Sequence, residues 1–227
     1  MYRKLLTSAV FAGFGAGLIA ALLQFQFVIP PLLEGELYES GQRLHFGTDG
    51  TPMSDRGAPS LGGEWSRHLM TVGFNMITYF GFGLILAALM GFAEQRQLVQ
   101  ITAKQGLLWG LCGFIVVQLA AAIGLPPELP GTIGAELAPR QTWWLGTIIA
   151  SGVGLWMIVF TKGPIGLIGV ALMAMPHLIG APHTDTYWGV APPELSAEFA
   201  MLSLGAAAAS WSVLGFLLGH FWTDDQA

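Results

Sequence analysis

The chain has 227 residues, of which 53% are hydrophobic, 31 are glycine and only 10% are charged, against roughly 25% charged in an ordinary soluble domain. That composition excludes a soluble globular protein. A net charge of -5 with nine basic residues excludes a cationic nucleic-acid surface, and a single cysteine, Cys112, excludes a disulfide framework or a zinc site of paired thiolates.

In chain order, long apolar runs predict membrane helices at residues 5–29, 69–93, 106–125, 142–160, 164–181 and 199–222, since a span needs about 20 predominantly apolar residues. The fold class expected is an all-α, polytopic transmembrane helical bundle. The fifth run is interrupted at Pro176 and followed by Gly180-Ala181-Pro182. It is therefore expected to span brokenly or to re-enter, which leaves six spans expected and five possible. The first run follows Arg3 and Lys4 but stays apolar for about 25 residues, beyond the roughly 7–15 of a cleaved signal core, so it reads as a retained helix. A single integral membrane domain over residues 1–227 is expected, with an extracytoplasmic loop at 34–68.

Orientation follows from the basic residues. With the N-terminus in the cytoplasm, the short inner segments hold Arg3, Lys4, Arg96, Lys104 and Lys162, while Arg43, Arg56, Arg67 and Arg140 fall outside. Long loops weigh less in the positive-inside rule, which favours this arrangement. Eleven of the 14 acidic residues then lie outside, and His45, His68, His177 and His183 lie outside or near that interface. Acidic residues are weakly sorted by orientation, so loop length alone is one account of the bias. A mouth that attracts cations is the other.

A proline pair recurs on that side, in Pro30-Pro31-Leu32-Leu33-Glu34, Pro126-Pro127-Glu128-Leu129 and Pro192-Pro193-Glu194-Leu195. Proline lacks the backbone donor and clashes with the preceding turn, so each pair is expected to end or start a helix beside a carboxylate. Gly13 and Gly17, Gly106 and Gly110, Gly152 and Gly154, and Gly215 and Gly219 have the spacing of close helix packing. Trp143-Trp144 and Trp222, near span ends, read as interfacial anchors.

Polar side chains inside spans are costly unless they pair or line a pathway. Counting about 1.5 Å per residue puts His177 roughly 20 Å from the inner boundary, Gln118 roughly 18 Å and Asn75 roughly 21 Å. They are expected to share one layer lining a route, with Gln24 slightly above it. Interhelical hydrogen bonding is the structural alternative for the two amides, Asn75 and Gln118. The segment from Met173 to Asp185 brings His177, His183 and Asp185 together with Met173 and Met175 on a backbone broken by Pro176, Gly180 and Pro182. Imidazole and carboxylate suit divalent Co, Ni or Zn, and thioether suits Cu(I). A helix end with histidines at the water interface is the alternative. Enzymatic motifs are missing: no Walker loop, no His-Glu-x-x-His and no nucleophile elbow, so no enzyme is expected.

Taken in order, four segments resemble the CbtA family of predicted cobalt transporter subunits. They are Gln24 ahead of Ile29-Pro-Pro-Leu-Leu-Glu34 with Glu36, Tyr38 and Glu39; Leu125-Pro-Pro-Glu-Leu-Pro-Gly131; Met175-Pro-His-Leu-Ile-Gly-Ala-Pro-His183; and Pro192-Pro-Glu-Leu195. The resemblance implies a bacterial inner-membrane protein of five or six spans, linked to cobalt supply for cobalamin synthesis. It also implies a small one-span partner, CbtB, with a histidine-bearing tail. Onto this chain it would carry His177, His183, Glu34, Glu128 and Glu194.

The function expected is transport of a divalent transition-metal cation, cobalt favoured, through an acidic outer vestibule and an intramembrane histidine site. The metal ligands would be His177, His183, Asp185, Glu34, Glu128 and Glu194, and the route would be lined by Asn75, Gln118 and Gln24. The metal is cargo, and no resident cofactor is expected. The partners are membrane lipid and the one-span subunit; homo-oligomer state and energy source have no signature in the sequence. The competing reading is a non-transporting scaffold that docks a partner helix through its glycine faces.

Overall fold

The computed structural model describes residues 2–224, with side chains described for 5–222. Among these residues the chain is helical, and extended pairing is confined to isolated bridges between Phe46 and Pro52 and between Thr132 and Gly189. Five helices are long and apolar enough to cross a membrane: Leu5–Glu39, Trp65–Gln95, Ala103–Gly124, Leu137–Phe160 and Pro193–Trp222. A multi-pass all-α bundle is thus what the sequence predicted. The details differ at the prolines.

Helix α1 (Tyr2–Leu23) continues through a π-helical turn, Gln24–Val28, into α2 (Ile29–Glu39). Pro30 and Pro31 therefore do not end the helix. The wide turn just before them shifts the carbonyls that an α-helix would aim at the two missing N–H groups, which relieves the clash of ring and carbonyl. Because α2 runs to Glu39, the connection to α3 (Trp65–Gln95) is only residues 40–64. Its tip is a tight turn in which the Thr51 hydroxyl (2.6 Å) and then the Thr51 backbone N–H (3.1 Å) hold the Asp49 carboxyl below the usual carboxylate range. A second π-helical turn, Ile115–Leu119, joins α4 (Ala103–Phe114) to α5 (Ala120–Gly124), and there Pro126-Pro127 do lie beyond the helix end.

The fifth run forms α7 (Ile165–Ile179), which passes unbroken through Pro176. The expected break is displaced to Gly180, whose φ of +88° is the left-handed conformation that glycine adopts freely at a helix end. At 15 residues, α7 is about 22 Å long, short of a ~30 Å hydrocarbon core. It lies antiparallel to α6 (Leu137–Phe160). Gly154 and Gly169 meet backbone to backbone, and Trp143 Nε1 donates to the Pro176 carbonyl at 3.0 Å. The short helix thus carries the chain back toward the start of α6, and residues 180–192 complete the return to α8 (Pro193–Asp224). Proline at the first helical position and Glu194 in the first turn both favour that start.

The chain resolves into two compact units. The first holds α1, α3, α4 and α8 from Gly205 onward. Here glycine replaces side-chain packing with backbone contact. Cβ atoms at Gly13 and Gly17 would sit 2.5 Å from the Cα atoms of Phe80 and Met76, and Gly106 and Gly110 interlock with Gly215 and Gly219. Trp222 is not an interfacial anchor. It is buried, and its Nε1 donates to Glu94 Oε2 at 2.9 Å. The second unit holds α2, α5, α6, α7, the start of α8 and their connections.

A Cβ at Gly110 would collide with the Trp211 carbonyl oxygen, whereas one at Gly146 would meet open space. Thermal unfolding in detergent should separate the two. Gly110→Ala is expected to destabilise by about 1–3 kcal/mol, the cost of overpacking, and Gly146→Ala to be neutral or stabilising by up to about 1 kcal/mol.

Candidate functional site

The three proline-led segments meet inside the second unit. Tyr38 of α2, Leu129 after the second pair, and Leu195 and Phe199 of α8 form one buried cluster, with Val28, Leu32, Val190 and Ala191 packed against it. Each proline pair thus delivers a leucine to a common floor. Gly131, at φ +78°, turns the second segment so closely that a Cβ there would lie 2.5 Å from Val190 Cγ2.

Over that floor opens a cavity of about 500 Å³ lined by Glu34, Tyr38, His45, Ser54, Arg56, Glu194 and Glu198, together with Pro192 and Leu195. Three carboxylates face one arginine across it. Glu34, only 13% exposed, is engaged through one oxygen: Arg43 Nη1 donates to its Oε1 at 2.9 Å, and the Gly57 N–H donates to the same oxygen at 3.2 Å. Arg43 also donates to the carbonyls of Asp55 (3.0 Å) and Gly57 (3.1 Å), so this pair clamps the 40–64 connection onto α2. Glu198 accepts from Arg56 Nη2 at 3.1 Å. Glu194, one helical turn before Glu198, is exposed, and no side-chain hydrogen bond to it occurs among the described residues. His45 Nδ1 pairs with Ser54 Oγ at 3.1 Å.

The other sequence-predicted residues are dispersed. Glu128 accepts from Arg140 Nη2 at 2.8 Å, which ties its loop to the start of α6 rather than to the cavity. His177 packs its ring against Trp143, centroids 5.9 Å apart, in the seam between α6 and α7. Among the described residues its Nδ1 is buried without a hydrogen-bond partner, as is the hydroxyl of Ser151 on α6. His183 and Asp185 are exposed in the segment after α7. Among the described residues no three His, Cys, Asp or Glu side chains come together as a metal-holding group. In the first unit, Asn75 is buried and donates to the Thr71 carbonyl on its own helix at 2.8 Å, and Gln118 lies half-buried in its π-helical turn. Gln24 opens the other π-helical turn, at the start of the second unit's chain.

Sequence reasoning placed His45, Tyr38 and Glu198 on the chain but not in the site, and it gave no role there to the arginines. A signal was present, since every basic residue assigned to the acid-rich side is arginine and never lysine. Arginine's planar fork is the side chain suited to fixed carboxylate pairs.

Arg43→Gln should loosen the connection without unfolding the bundle. The expected cost is about 2 kcal/mol, in the range of charge-assisted hydrogen bonds, read as faster hydrogen exchange confined to residues 53–62. Glu34→Gln should have nearly the same effect, and the double variant should add little to either.

No curated protein and no solved structure matches the chain. A family model does, over residues 2–223, and its description is "Probable cobalt transporter subunit (CbtA)". With nearly the whole sequence matched and a multi-pass helical fold beneath it, the chain belongs to the CbtA family of probable cobalt transporter subunits.

Proposed function

We propose that this subunit conducts a divalent transition-metal cation, Co²⁺ favoured, inward across the bacterial inner membrane to supply cobalamin synthesis. The observation that carries the reading is the acidic cavity, in which Glu34, Glu194 and Glu198 outnumber Arg56 and, among the described residues, Glu194 forms no ion pair. With the N-terminus cytoplasmic, this cavity faces outward. A concave, low-dielectric site lined by one sign of charge concentrates counter-ions before they bind.

The second station in this reading is His177, with His183 and Asp185 on the segment that follows. A buried, unpartnered imidazole nitrogen is a donor awaiting a partner. Conduction needs sites weak enough to release the ion, and a chain of single and paired donors supplies that better than a closed ligand cage. Glu128 is assigned to the structural pair with Arg140. Gln24 is assigned to the route as an uncharged group, whereas Asn75 and Gln118, expected there from the sequence, belong to the first unit and are left out of it. The membrane potential alone favours inward movement of a divalent cation by roughly 4.6 kcal/mol at 100 mV.

A one-span CbtB-like partner with a histidine-bearing tail belongs to the proposal. The alternative, a scaffold that docks such a helix through its glycines, loses support because Gly13, Gly17, Gly106, Gly110, Gly154, Gly215 and Gly219 already contact the chain's own helices.

The test is proteoliposomes carrying the purified subunit, with and without the partner, and a trapped dye quenched by Co²⁺, Ni²⁺, Zn²⁺ or Cu⁺. Glu194→Gln should raise the half-saturating Co²⁺ concentration with little change in maximal rate. His177→Ala should lower the maximal rate at least about tenfold, as loss of a ligand to the moving ion would. A folded wild type that moves none of these metals, alone or with its partner, sinks the proposal.

A further inference from the structure

Arg56 is the one cavity-lining residue whose charge opposes a cation, and its placement is elaborate. The residues on either side of it, Asp55 and Gly57, both give their carbonyls to Arg43, and the Gly57 N–H goes to Glu34. The backbone is therefore clamped to α2 immediately before and after Arg56. Gly57 has φ +150°, in a region that side chains rarely adopt, so the kink that lets both neighbours reach the clamp requires glycine there. Glu34, which the sequence suggested as a metal ligand, forms with Arg43 a pedestal for a guanidinium.

What the pedestal presents is loosely held. Arg56 is 86% exposed along its side chain and Glu198 is 48% exposed, with one contact of 3.1 Å between them. An exposed pair of this kind is weak and readily exchanged. On α8, Glu194 lies one turn away on the same face.

We propose that Arg56 is a tethered competitor cation for Glu198 and so sets the cation specificity of the vestibule. This rests on the functional reading above and names its selectivity element. In the ion-free state the guanidinium occupies Glu198. A doubly charged ion drawn in beside Glu194 displaces it, whereas a singly charged ion gains too little to do so. The displaced guanidinium stays attached at the cavity wall, where its repulsion lowers affinity and helps the ion leave. Of the divalent ions, Mg²⁺ gives up its water reluctantly and competes poorly with an arginine already in place. Arg56 is thus a positioning and specificity residue, not a ligand.

The test uses the intact subunit with its partner in proteoliposomes, comparing wild type, Arg56→Gln, Arg56→Lys, Glu198→Gln and the Arg56→Gln/Glu198→Gln double variant. An unchanged melting temperature is expected for Arg56→Gln at so exposed a site. Arg56→Gln should lower the half-saturating Co²⁺ concentration about two- to fivefold, the value of an exposed ion pair, and should make transport newly sensitive to block by Mg²⁺ and Na⁺. Arg56→Lys should stay near wild type, and the double variant should behave like Glu198→Gln alone. Calorimetric titration of Co²⁺ into detergent-solubilised wild type and Arg56→Gln gives the same comparison without transport. If Co²⁺ is transported or bound and Arg56→Gln leaves both its affinity and the Mg²⁺ block unchanged, the role of Arg56 is overturned while the functional reading stands. If the wild type neither binds nor transports Co²⁺, the functional reading fails and takes this inference with it.

Discussion

The packing of Tyr38, Leu129, Leu195 and Phe199 holds together the segments that line the cavity of the second unit. These residues come from three stretches far apart in sequence, each led by a proline pair, and their burial stabilises by about 1.5–3 kcal/mol per large side chain. Without that floor the carboxylates of Glu34, Glu194 and Glu198 would ride on separate, independently moving segments. With it they line one cavity. The prolines contribute by what they prevent: residues 126–127 and 192–193 cannot lie inside a helix without losing a backbone bond, so the chain turns beside them and delivers the leucines inward.

The same chemistry is handled differently at Pro30 and Pro31. A helix in lipid cannot leave backbone groups unsatisfied, which limits where prolines are tolerated inside a span. The π-helical turn at Gln24–Val28 resolves the conflict by widening the helix just ahead of the pair, and α2 then carries Glu34 and Tyr38 to their places. A second wide turn at Ile115–Leu119 precedes the next proline pair by several residues. Both turns contain glutamine, and such turns recur at functional sites because they release carbonyls from regular pairing.

Composition made the spans legible, since a run of about 20 apolar residues has few other uses. The proline-leucine-glutamate segments were also visible, and their recurrence marked real partners in one cluster. Pairing was not legible. Arg43 with Glu34, Arg140 with Glu128 and Arg56 with Glu198 join residues separated by 9, 12 and 142 positions, and nothing local specifies which arginine meets which acid. The same holds for Trp222, whose place near a helix end suggested the lipid interface although its indole is buried beside Glu94. Pro176 misled for a different reason. A single proline removes one bond and tolerates a helix that ends a turn later, and Gly180 is the true stop.

Arginine pairing changes what an acidic vestibule can be. Three bare carboxylates at one mouth would repel one another and hold a divalent ion too tightly to pass it on, since charges in a recessed site interact more strongly than in water. If, as proposed, the Glu34 pair with Arg43 is lasting and the Glu198 pair with Arg56 exchanges, a modest net attraction is left at Glu194. The difference between the two pairs lies in exposure: the clamp is shielded and multiply hydrogen-bonded, the other pair is open to water. One is built to last and the other to exchange. In the proposed reading, an ion at such a mouth would meet a field strong enough to gather it and a competitor close enough to dislodge it, which is what release toward the buried Nδ1 of His177 would require.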